Sequence, residues 1–349
     1  MTHAREPFDG LPERVGPYRR LRQLGAGGMG AVFEVEHEET GARYALKVIL
    51  PEALGVEGLA RFRQEAEAMA RLDHRHLAKI HTARLEPPLF FLVLDLYPGG
   101  TLEARLADGP LPVAEATSIA ARVADGVAHA HAHGVLHRDI KPENVLFDDR
   151  GQPVLADFGL SRGDSAERMT QTGDLLGSPT TMAPEQVTDA KGVGPPADVY
   201  GLGALLYRML TGEPPIPTAA TVVGTLARVL EHAPRAPHEL RPEVSPALSA
   251  LCLRALSKQP ELRPSARELG DALAGRSVAP GRARHARWLA GAGSLAALAV
   301  SGVAVVWVGP RGGASEPPRG PAPEAPSEVA RAQLPRWVES LDGRHVALT

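Results

Sequence analysis

Four side chains between positions 139 and 157 have the types and spacing needed to transfer a charged group to a hydroxyl. Asp139 and Lys141 belong to the octet His137–Asn144, which reads His-Arg-Asp-Ile-Lys-Pro-Glu-Asn. A carboxylate can orient a hydroxyl and accept its proton, and a lysine can neutralise a migrating phosphoryl group. Asn144 and Asp157 supply the hard oxygen ligands that Mg²⁺ prefers. Each residue alone could be an ordinary loop residue, but together they predict phosphoryl transfer.

A glycine-rich segment upstream of the octet has the composition of a phosphate-binding loop. Gly25, Gly27 and Gly30 lie within Leu24–Val32, between two stretches with the pattern of strands. Glycine has no Cβ, so the backbone of such a loop can approach phosphate oxygens and present N–H groups to them. A glycine-rich segment alone is more often a plain turn. Lys47, on the following predicted strand, makes nucleotide binding the stronger interpretation.

The elements that would position these residues follow from periodicity. Short strands with a turn at Thr40-Gly41 are expected between positions 18 and 50. Apolar residues at helical spacing predict a helix over 59–72, and the continuous apolar run 89–96 predicts a strand covered on both faces. An alanine-rich segment predicts a helix over 114–133.

Taken in order, the motifs resemble those of the protein kinase family. The glycine loop and Lys47 precede the octet, and Asp157-Phe-Gly159 and Ala183-Pro-Glu185 follow it. The segment Arg168-Met-Thr-Gln-Thr172 and the Gly-Gly-Met-Gly loop look most like the bacterial serine/threonine kinases. The resemblance covers residues 18–274, about three quarters of the chain.

The resemblance implies an α+β, two-lobed protein kinase fold. A small β-rich lobe with one main helix would span 18–96, and a larger, helical lobe would span 97–274. The hinge between the lobes would bind the adenine edge through its backbone. Residues 1–17 are polar and aperiodic, which predicts a flexible lead-in.

The resemblance also assigns catalytic roles. Asp139 would be the catalytic base, with Lys141 beside the transferred phosphoryl group. Lys47 would position the α- and β-phosphates in an ion pair with Glu65 on the predicted helix. Glu67 is the alternative partner, and a solvated surface glutamate is the plainer interpretation of either residue.

The expected ligands are ATP and Mg²⁺, or Mn²⁺ in its place. Asn144 and Asp157 would hold the metal ion. The residues expected to bind ATP are Leu24, Gly25, Ala26, Gly27, Gly28, Met29, Gly30, Val32, Ala45, Lys47, Leu94, Asp95 and Tyr97.

The segment between Phe158 and Ala183 is the expected switch. Thr170 and Thr172 are candidates for autophosphorylation, and Arg138 is expected to grip the resulting phosphate. Thr181 takes the place of the family's usual aromatic residue, which leaves substrate preference open.

Further residues are assigned to structural support. Ser178 keeps the hydroxyl of the family's usual threonine. Arg263 is expected to pair with Glu185, and Asp198, near the start of a predicted buried helix, is expected to brace the catalytic loop.

The composition and net charge of the chain exclude some classes of function. A net charge of −3 and a pI near 6.5 exclude a basic nucleic-acid-binding surface as the main feature, and the single cysteine, Cys252, cannot form an internal disulfide. His129, His131 and His133 alternate along a predicted helix. Because positions i and i+2 do not share a helix face, packing is favoured over metal ligation.

The end of the chain suggests a membrane anchor. Residues 288–308 carry no formal charge and are long enough to span a bilayer, after a basic linker at 275–287. The positive-inside rule then predicts a single-pass protein of the inner cell membrane with a cytoplasmic kinase domain. A soluble or interfacial helix is the alternative. The Pro-rich remainder, 309–349, is expected to be largely disordered outside the cytoplasm.

Three functions remain in view. The leading one is a membrane-anchored serine/threonine protein kinase that uses ATP on protein substrates and is activated by autophosphorylation, which a homodimer would help. A pseudokinase acting as a binding scaffold is the rival from another class, and a small-molecule kinase is the third. All five of Lys47, Glu65, Asp139, Asn144 and Asp157 are present, which favours the enzyme.

Overall fold

The computed structural model describes residues 11–27, 30–50, 55–86, 89–158, 179–188 and 192–276. The first lobe is built on an antiparallel sheet in the order β1-β2-β3-β4-β6-β5. Its strands are β1 Arg14–Val15, β2 Tyr18–Gly27, β3 Gly30–His37, β4 Arg43–Ile49, β5 Ile80–Glu86 and β6 Leu89–Asp95.

Successive side chains of β3 point alternately to a packed face of the sheet and to a face that lines the cleft. Ala31, Phe33 and Val35 are buried in a cluster with apolar residues of β4 and β6. Val32 and Glu34, on the other face, line the cavity between the lobes. Because side chains on a strand alternate with period two, one strand both builds the core and shapes the cavity.

The predicted lead-in 1–17 is partly wrong, because Arg14–Val15 forms the edge strand β1. Val15 pairs with Tyr18 in a tight hairpin in which Gly16 takes a φ of 58°. Val15 and Tyr18 are both buried against the sheet. Burying a valine side chain contributes about 1.5–3 kcal/mol, which stabilises this short edge strand.

The main helix of the first lobe is α1, Gly55–Ala70, against the predicted range of 59–72. Phe62, Ala66 and Met69 are buried at helical spacing and face the core. Glu65 is half-buried on the same helix. The apolar stripe therefore fixes the rotation of α1 and, with it, the position of this carboxylate.

The second lobe is mainly helical. Its helices are α2 Leu102–Leu106, α3 Val113–Ala132, α4 Pro184–Thr188, α5 Pro195–Thr211, α6 Val222–Glu231, α7 Pro237–Leu240, α8 Pro246–Ala255 and α9 Ala266–Leu273. The segment 197–207 of α5 is buried throughout, and α3 and α8 pack against this helix. A helix that is buried all round forms the centre of a lobe, and α5 has that place here.

A short antiparallel hairpin brings the two ends of the catalytic segment together. It consists of β7 Val145–Phe147 and β8 Pro153–Leu155. Asn144 immediately precedes β7, and its backbone oxygen accepts a hydrogen bond from the Ala156 N–H at 2.8 Å. Antiparallel pairing therefore places Asn144 next to the chain that leads into Asp157.

The predicted two-lobed kinase fold is confirmed in the described residues. None of the helices within those ranges is long and apolar enough to cross a membrane. The predicted span at 288–308, the tail, Gly28, Met29, Thr170, Thr172 and Ser178 all lie outside the described residues.

Candidate active site

A cavity of about 850 Å³ lies between the sheet and the catalytic segment. Eight of the thirteen residues predicted to bind ATP line it. They are Leu24, Gly25, Val32, Ala45, Lys47, Leu94, Asp95 and Tyr97. Ala26, Gly27 and Gly30 belong to the β2–β3 hairpin that contributes this wall. Asn144 and Asp157 line the same cavity, so both predicted metal ligands face the predicted nucleotide site.

The glycines of the hairpin serve two different purposes. A Cβ built on Gly30 would lie 1.9 Å from the Val48 backbone oxygen, so β4 requires a glycine there. A Cβ built on Gly25 or Gly27 would meet nothing within 4 Å. Packing within the described chain therefore does not require these two glycines. The open space beside them suits the close approach of a phosphate to the backbone.

Lys47 and Asp157 form a salt bridge across the cleft. Lys47 lies on β4, opposite Val32 of β3 and Leu92 of β6, and its Nζ is 2.7 Å from Asp157 Oδ1. Burial would raise the pKa of Asp157, but the Lys47 ammonium beside it holds that pKa below the ordinary aspartate value. Asp157 is therefore an anion at neutral pH.

The predicted ion pair between Lys47 and Glu65 is wrong for this structure. Oε1 of Glu65 is 3.2 Å from Nη1 of Arg138, while Lys47 binds Asp157. Two cations and two carboxylates form two ion pairs between the lobes, and chain spacing does not decide how they pair. The arginine side chain is long enough for the guanidinium of Arg138 to reach α1 from the catalytic loop. Glu65 therefore has a partner in the second lobe.

Asp139, Lys141 and Asn144 form one hydrogen-bonded group. Nζ of Lys141 is 3.0 Å from Oδ2 of Asp139. Nδ2 of Asn144 donates to the backbone oxygen of Asp139 at 2.8 Å and to its Oδ2 at 3.3 Å. A 3₁₀ turn at Pro142–Asn144 folds the chain back so that this amide can reach Asp139. The carboxylate of Asp139, the predicted base, is thus held by contacts within its own loop.

Asp198 braces this loop from α5. Its side chain is buried, and Oδ1 accepts the Arg138 N–H at 2.6 Å. Oδ2 accepts the His137 N–H at 2.8 Å and lies 2.7 Å from His131 Nε2. The position of Asp198 in the first turn of α5 also suits the helix dipole. His131, expected only to pack, supplies a hydrogen bond.

His137 lies beneath the catalytic loop. Its Nδ1 accepts the Asp139 N–H at 3.2 Å, so Nε2 carries the proton that it donates to the Ala156 oxygen at 2.9 Å. Burial lowers the pKa of His137, which keeps the ring neutral. The ring also packs against Phe158, with 4.6 Å between the centroids. These contacts assign His137 a structural role.

Glu185 and Arg263 form a two-pronged ion pair. Nη1 and Nη2 of Arg263 lie 2.6 and 2.9 Å from the two carboxylate oxygens of Glu185. Nη1 of Arg263 also donates to the Pro196 backbone oxygen at 2.8 Å. The pair fastens α4 to the start of α5. Thr181 lies in the 3₁₀ turn Pro179–Thr181 that precedes α4.

The residues present suit a divalent metal ion. Because Nδ2 of Asn144 is bound to Asp139, its amide oxygen is left for another partner. Oδ1 of Asp157 binds Lys47, and about half of the Asp157 side chain is exposed. An amide oxygen and an ionised carboxylate on one cavity are the donor set of a Mg²⁺ site.

One residue of the site was not singled out in the sequence. Gln186 follows Glu185 directly and hydrogen-bonds the backbone of Arg138 in the catalytic loop. Its place beside the Ala183-Pro-Glu185 motif was the available signal. Nothing in a glutamine side chain, however, indicates which distant backbone group it will bind.

Comparison with known proteins agrees with this geometry. Residues 18–272 match the protein kinase domain family. The solved kinase domain of a mutant form of PknI from Mycobacterium tuberculosis superposes with a TM-score of 0.60 and 30% identity, covering 74% of this chain and 95% of that one. The chain belongs to the protein kinase family.

Similar proteins within that family include bacterial serine/threonine kinases. Pkn1 of Myxococcus xanthus is 35% identical over 75% of this chain, and PknD of Mycobacterium tuberculosis is 37% identical over 73% of it. The chain spans only 38–39% of the length of these two relatives. The similarity therefore concerns the kinase domain and places it with the bacterial serine/threonine type.

Proposed function

We propose that the chain transfers the γ-phosphate of ATP to serine and threonine hydroxyls of protein substrates. The observation that carries this proposal is the group formed by Asp139, Lys141 and Asn144. It is joined to a cavity whose opposite wall carries Lys47. Lys47 and the metal-ligating oxygens of Asn144 and Asp157 thus line one space of nucleotide size, and Asn144 connects that space to the base Asp139 and its partner Lys141.

The chemical step follows from these positions. Asp139 orients the acceptor hydroxyl and takes its proton as the oxygen bonds to the γ-phosphorus. The bond from that phosphorus to the β–γ bridging oxygen breaks, and ADP leaves with the electron pair. Lys141 and Lys47 offset the negative charge on the phosphates. Mg²⁺, or Mn²⁺, held by Asn144 and Asp157 would supply further charge neutralisation.

Autophosphorylation of Thr170 or Thr172 is the proposed means of activation. Support comes from Arg138, whose guanidinium lies in an ion pair with the Glu65 carboxylate. A phosphate carries about two negative charges and forms strong charge-assisted hydrogen bonds with guanidinium groups. It would therefore compete with Glu65 for Arg138 and change the connection between α1 and the catalytic loop.

The second candidate function is a catalytically silent scaffold. It is favoured by the same Glu65–Arg138 pair, since Lys47 then has Asp157 as its partner. A scaffold of this kind would bind nucleotide without transferring phosphate.

Membrane anchoring is also proposed, on the sequence alone. The uncharged stretch 288–308 and the arginines before it support a single-pass anchor in the inner cell membrane, with the kinase domain in the cytoplasm. Small residues along that stretch would let two copies pack closely, and a homodimer would bring each activation segment to the partner's site.

The test is transfer of labelled phosphate from ATP by the full chain and by its Asp139→Asn variant. Loss of the base is expected to lower transfer by about 10²–10⁴-fold while nucleotide binding and the melting temperature stay unchanged. Asp149→Asn, at an exposed position on the β7–β8 turn, is the matched control. Label on Thr170 or Thr172 of the parent supports self-activation. A parent that binds ATP but transfers none would establish the scaffold instead.

A further inference from the structure

Gln186 links two parts of the active site through one side chain. It lies on α4, and its Oε1 accepts the Ala183 N–H at 2.9 Å. Its Nε2 donates to the backbone oxygen of Arg138, also at 2.9 Å. Ala183 is at the end of the activation segment, and Arg138 immediately precedes the catalytic base. Both halves of one amide are therefore in use, one on each segment.

The backbone that Gln186 holds is strained. Arg138 has a φ of 64°, in the left-handed region that non-glycine residues seldom adopt. Such a conformation is unfavourable and persists only where the surroundings hold it. Asp198 binds the N–H of Arg138 on one side, and Gln186 binds its C=O on the other. The two side chains together hold the residue before Asp139.

The peptide unit between Arg138 and Asp139 is held at both of its polar atoms. Its oxygen accepts from Gln186, and its N–H donates to His137 Nδ1. The plane of this peptide sets the direction of the Asp139 Cα–Cβ bond. Removal of the bond to its oxygen would let the plane rotate and would displace the carboxylate.

We infer that Gln186 is a positioning residue that couples the end of the activation segment to the orientation of the catalytic base Asp139. The inference rests on the proposed function, since it concerns the same transfer step. Gln186 touches no reacting atom. It acts through the backbone of Arg138, and movement of Ala183 would reach Asp139 through it.

The role requires an amide. Glutamate at this position can still accept the Ala183 N–H, but its carboxylate cannot donate to the Arg138 oxygen and would be repelled by it. Methionine has a similar length and makes neither hydrogen bond. Gln186→Glu therefore removes the link to the catalytic loop alone, whereas Gln186→Met removes both links.

The first measurement compares the kcat and the KM for ATP of the full chain and of both variants. Misplacement of a catalytic group can cost about 10²-fold in rate, so kcat is expected to fall at least tenfold in each variant at pH 7.5. The KM for ATP and the melting temperature should stay close to those of the parent. Thr188→Val, on the same helix, is the control, because among the described residues its hydroxyl bonds only to the Pro184 oxygen within α4, and it should leave kcat unchanged.

The pH dependence separates positioning from a merely structural role. A carboxylate facing a carbonyl oxygen is disfavoured, so the pKa of the introduced glutamate is expected to lie above its ordinary value. Once protonated, that carboxyl group can donate to the Arg138 oxygen. The ratio of kcat for Gln186→Glu to kcat for the parent should therefore rise as pH falls from 7.5 to 5.5. The ratio for Gln186→Met should stay flat.

Each result for the two Gln186 variants either supports or overturns the positioning role of Gln186. Parental kcat for Gln186→Glu at pH 7.5 would overturn the inference. So would a loss of melting temperature without a loss of kcat in Gln186→Met, which also serves if the glutamate variant does not fold. An inactive parent would refute the proposed function and, with it, this inference. Activity in the parent with parental kcat in Gln186→Glu would refute only the inference.

Discussion

Single side chains hold the catalytic loop in a conformation that its own sequence disfavours. Arg138 and Asp157 both have positive φ, at 64° and 55°, and both lie beside the residues assigned to catalysis. Arg138 is held by Asp198 and Gln186, and Asp157 by its ion pair with Lys47. Strain of this kind persists only where the surrounding structure over-determines it. The conformation of Arg138 thus depends on two side chains, Asp198 and Gln186, that are assigned no contact with the reacting atoms.

Replacement of Asp198 by asparagine should destabilise the protein and slow catalysis. The buried carboxylate binds two backbone N–H groups and His131, and an amide would turn an N–H towards one of these donors. Loss of a buried charged hydrogen-bond acceptor costs about 3 kcal/mol in the free energy of unfolding. Urea denaturation measures this loss.

The matched control for that prediction is Asp271→Asn. Asp271 forms an exposed ion pair with Arg276 at 2.7 Å, and such pairs contribute about 0–1 kcal/mol. Equal losses in the two variants would contradict the bracing role of Asp198.

At the scale of elements, the site depends on how closely α5 packs in the second lobe. α5 is buried along most of its length, and it carries Asp198 in its first turn. Gly203 lies where α5 contacts α8, and its backbone oxygen accepts a bond from the Cys252 thiol at 3.6 Å. The packing of α5 against α8 therefore also fixes the position of Asp198 relative to the catalytic loop.

Gly203→Ala is expected to lower the free energy of unfolding by about 1–3 kcal/mol, because the core is overpacked. The added Cβ would lie 2.9 Å from the Cβ of Ala255, which cannot move without the backbone of α8. Alanine has the higher helix propensity, so a loss would report the contact between helices and not the helix itself. Thermal and urea denaturation measure the change.

Gly194→Ala provides the comparison. A Cβ there would come no closer than 3.5 Å to the Pro196 side chain, so a change within about 0.5 kcal/mol is expected. A stabilised Gly203→Ala variant would show that α8 yields at this contact.

At the scale of the whole molecule, ion pairs connect the two lobes. Lys47 and Glu65, both in the first lobe, bind Asp157 and Arg138 of the second. Backbone hydrogen bonds from Leu155 to His76 and from Ala78 to Leu155 add a second connection, at 3.0 and 2.9 Å. A change of charge at the site, for example by substitution or phosphorylation, therefore also alters the contacts between the two lobes.

The proposed membrane anchor predicts where the full chain is found. The full chain should remain with the membrane fraction after carbonate extraction, and a chain ending at Arg276 should be released. Leu298→Arg places a charge at the centre of the uncharged stretch and costs about 2.5–3.5 kcal/mol of insertion free energy, so it should reduce retention. Release of the full chain by carbonate would refute the anchor, and Leu298→Ile should behave as the parent.

The sequence by itself determined the family, the two lobes and many of the residues that line the cavity between them. Phosphoryl transfer needs a carboxylate, cations and hard oxygen ligands at fixed spacing. These residue types and their spacing can be read directly from the sequence. The strands and α1 followed from apolar periodicity, to within a few residues at their ends. The β1 strand was missed because its two residues carry no periodic pattern.

Only the tertiary structure decided the distant partners of Glu65, Asp157 and Gln186. Glu65 and Asp157 are 92 residues apart in the chain, and either could have met either cation; the packing of α1 and the turn at Arg138 assigned them. The same holds for Gln186, whose amide meets a backbone oxygen 48 residues away. Hydrogen bonds and ion pairs act over about 3 Å, so they depend on the final packing of elements. Periodicity along the chain specifies the elements but not distances of that size.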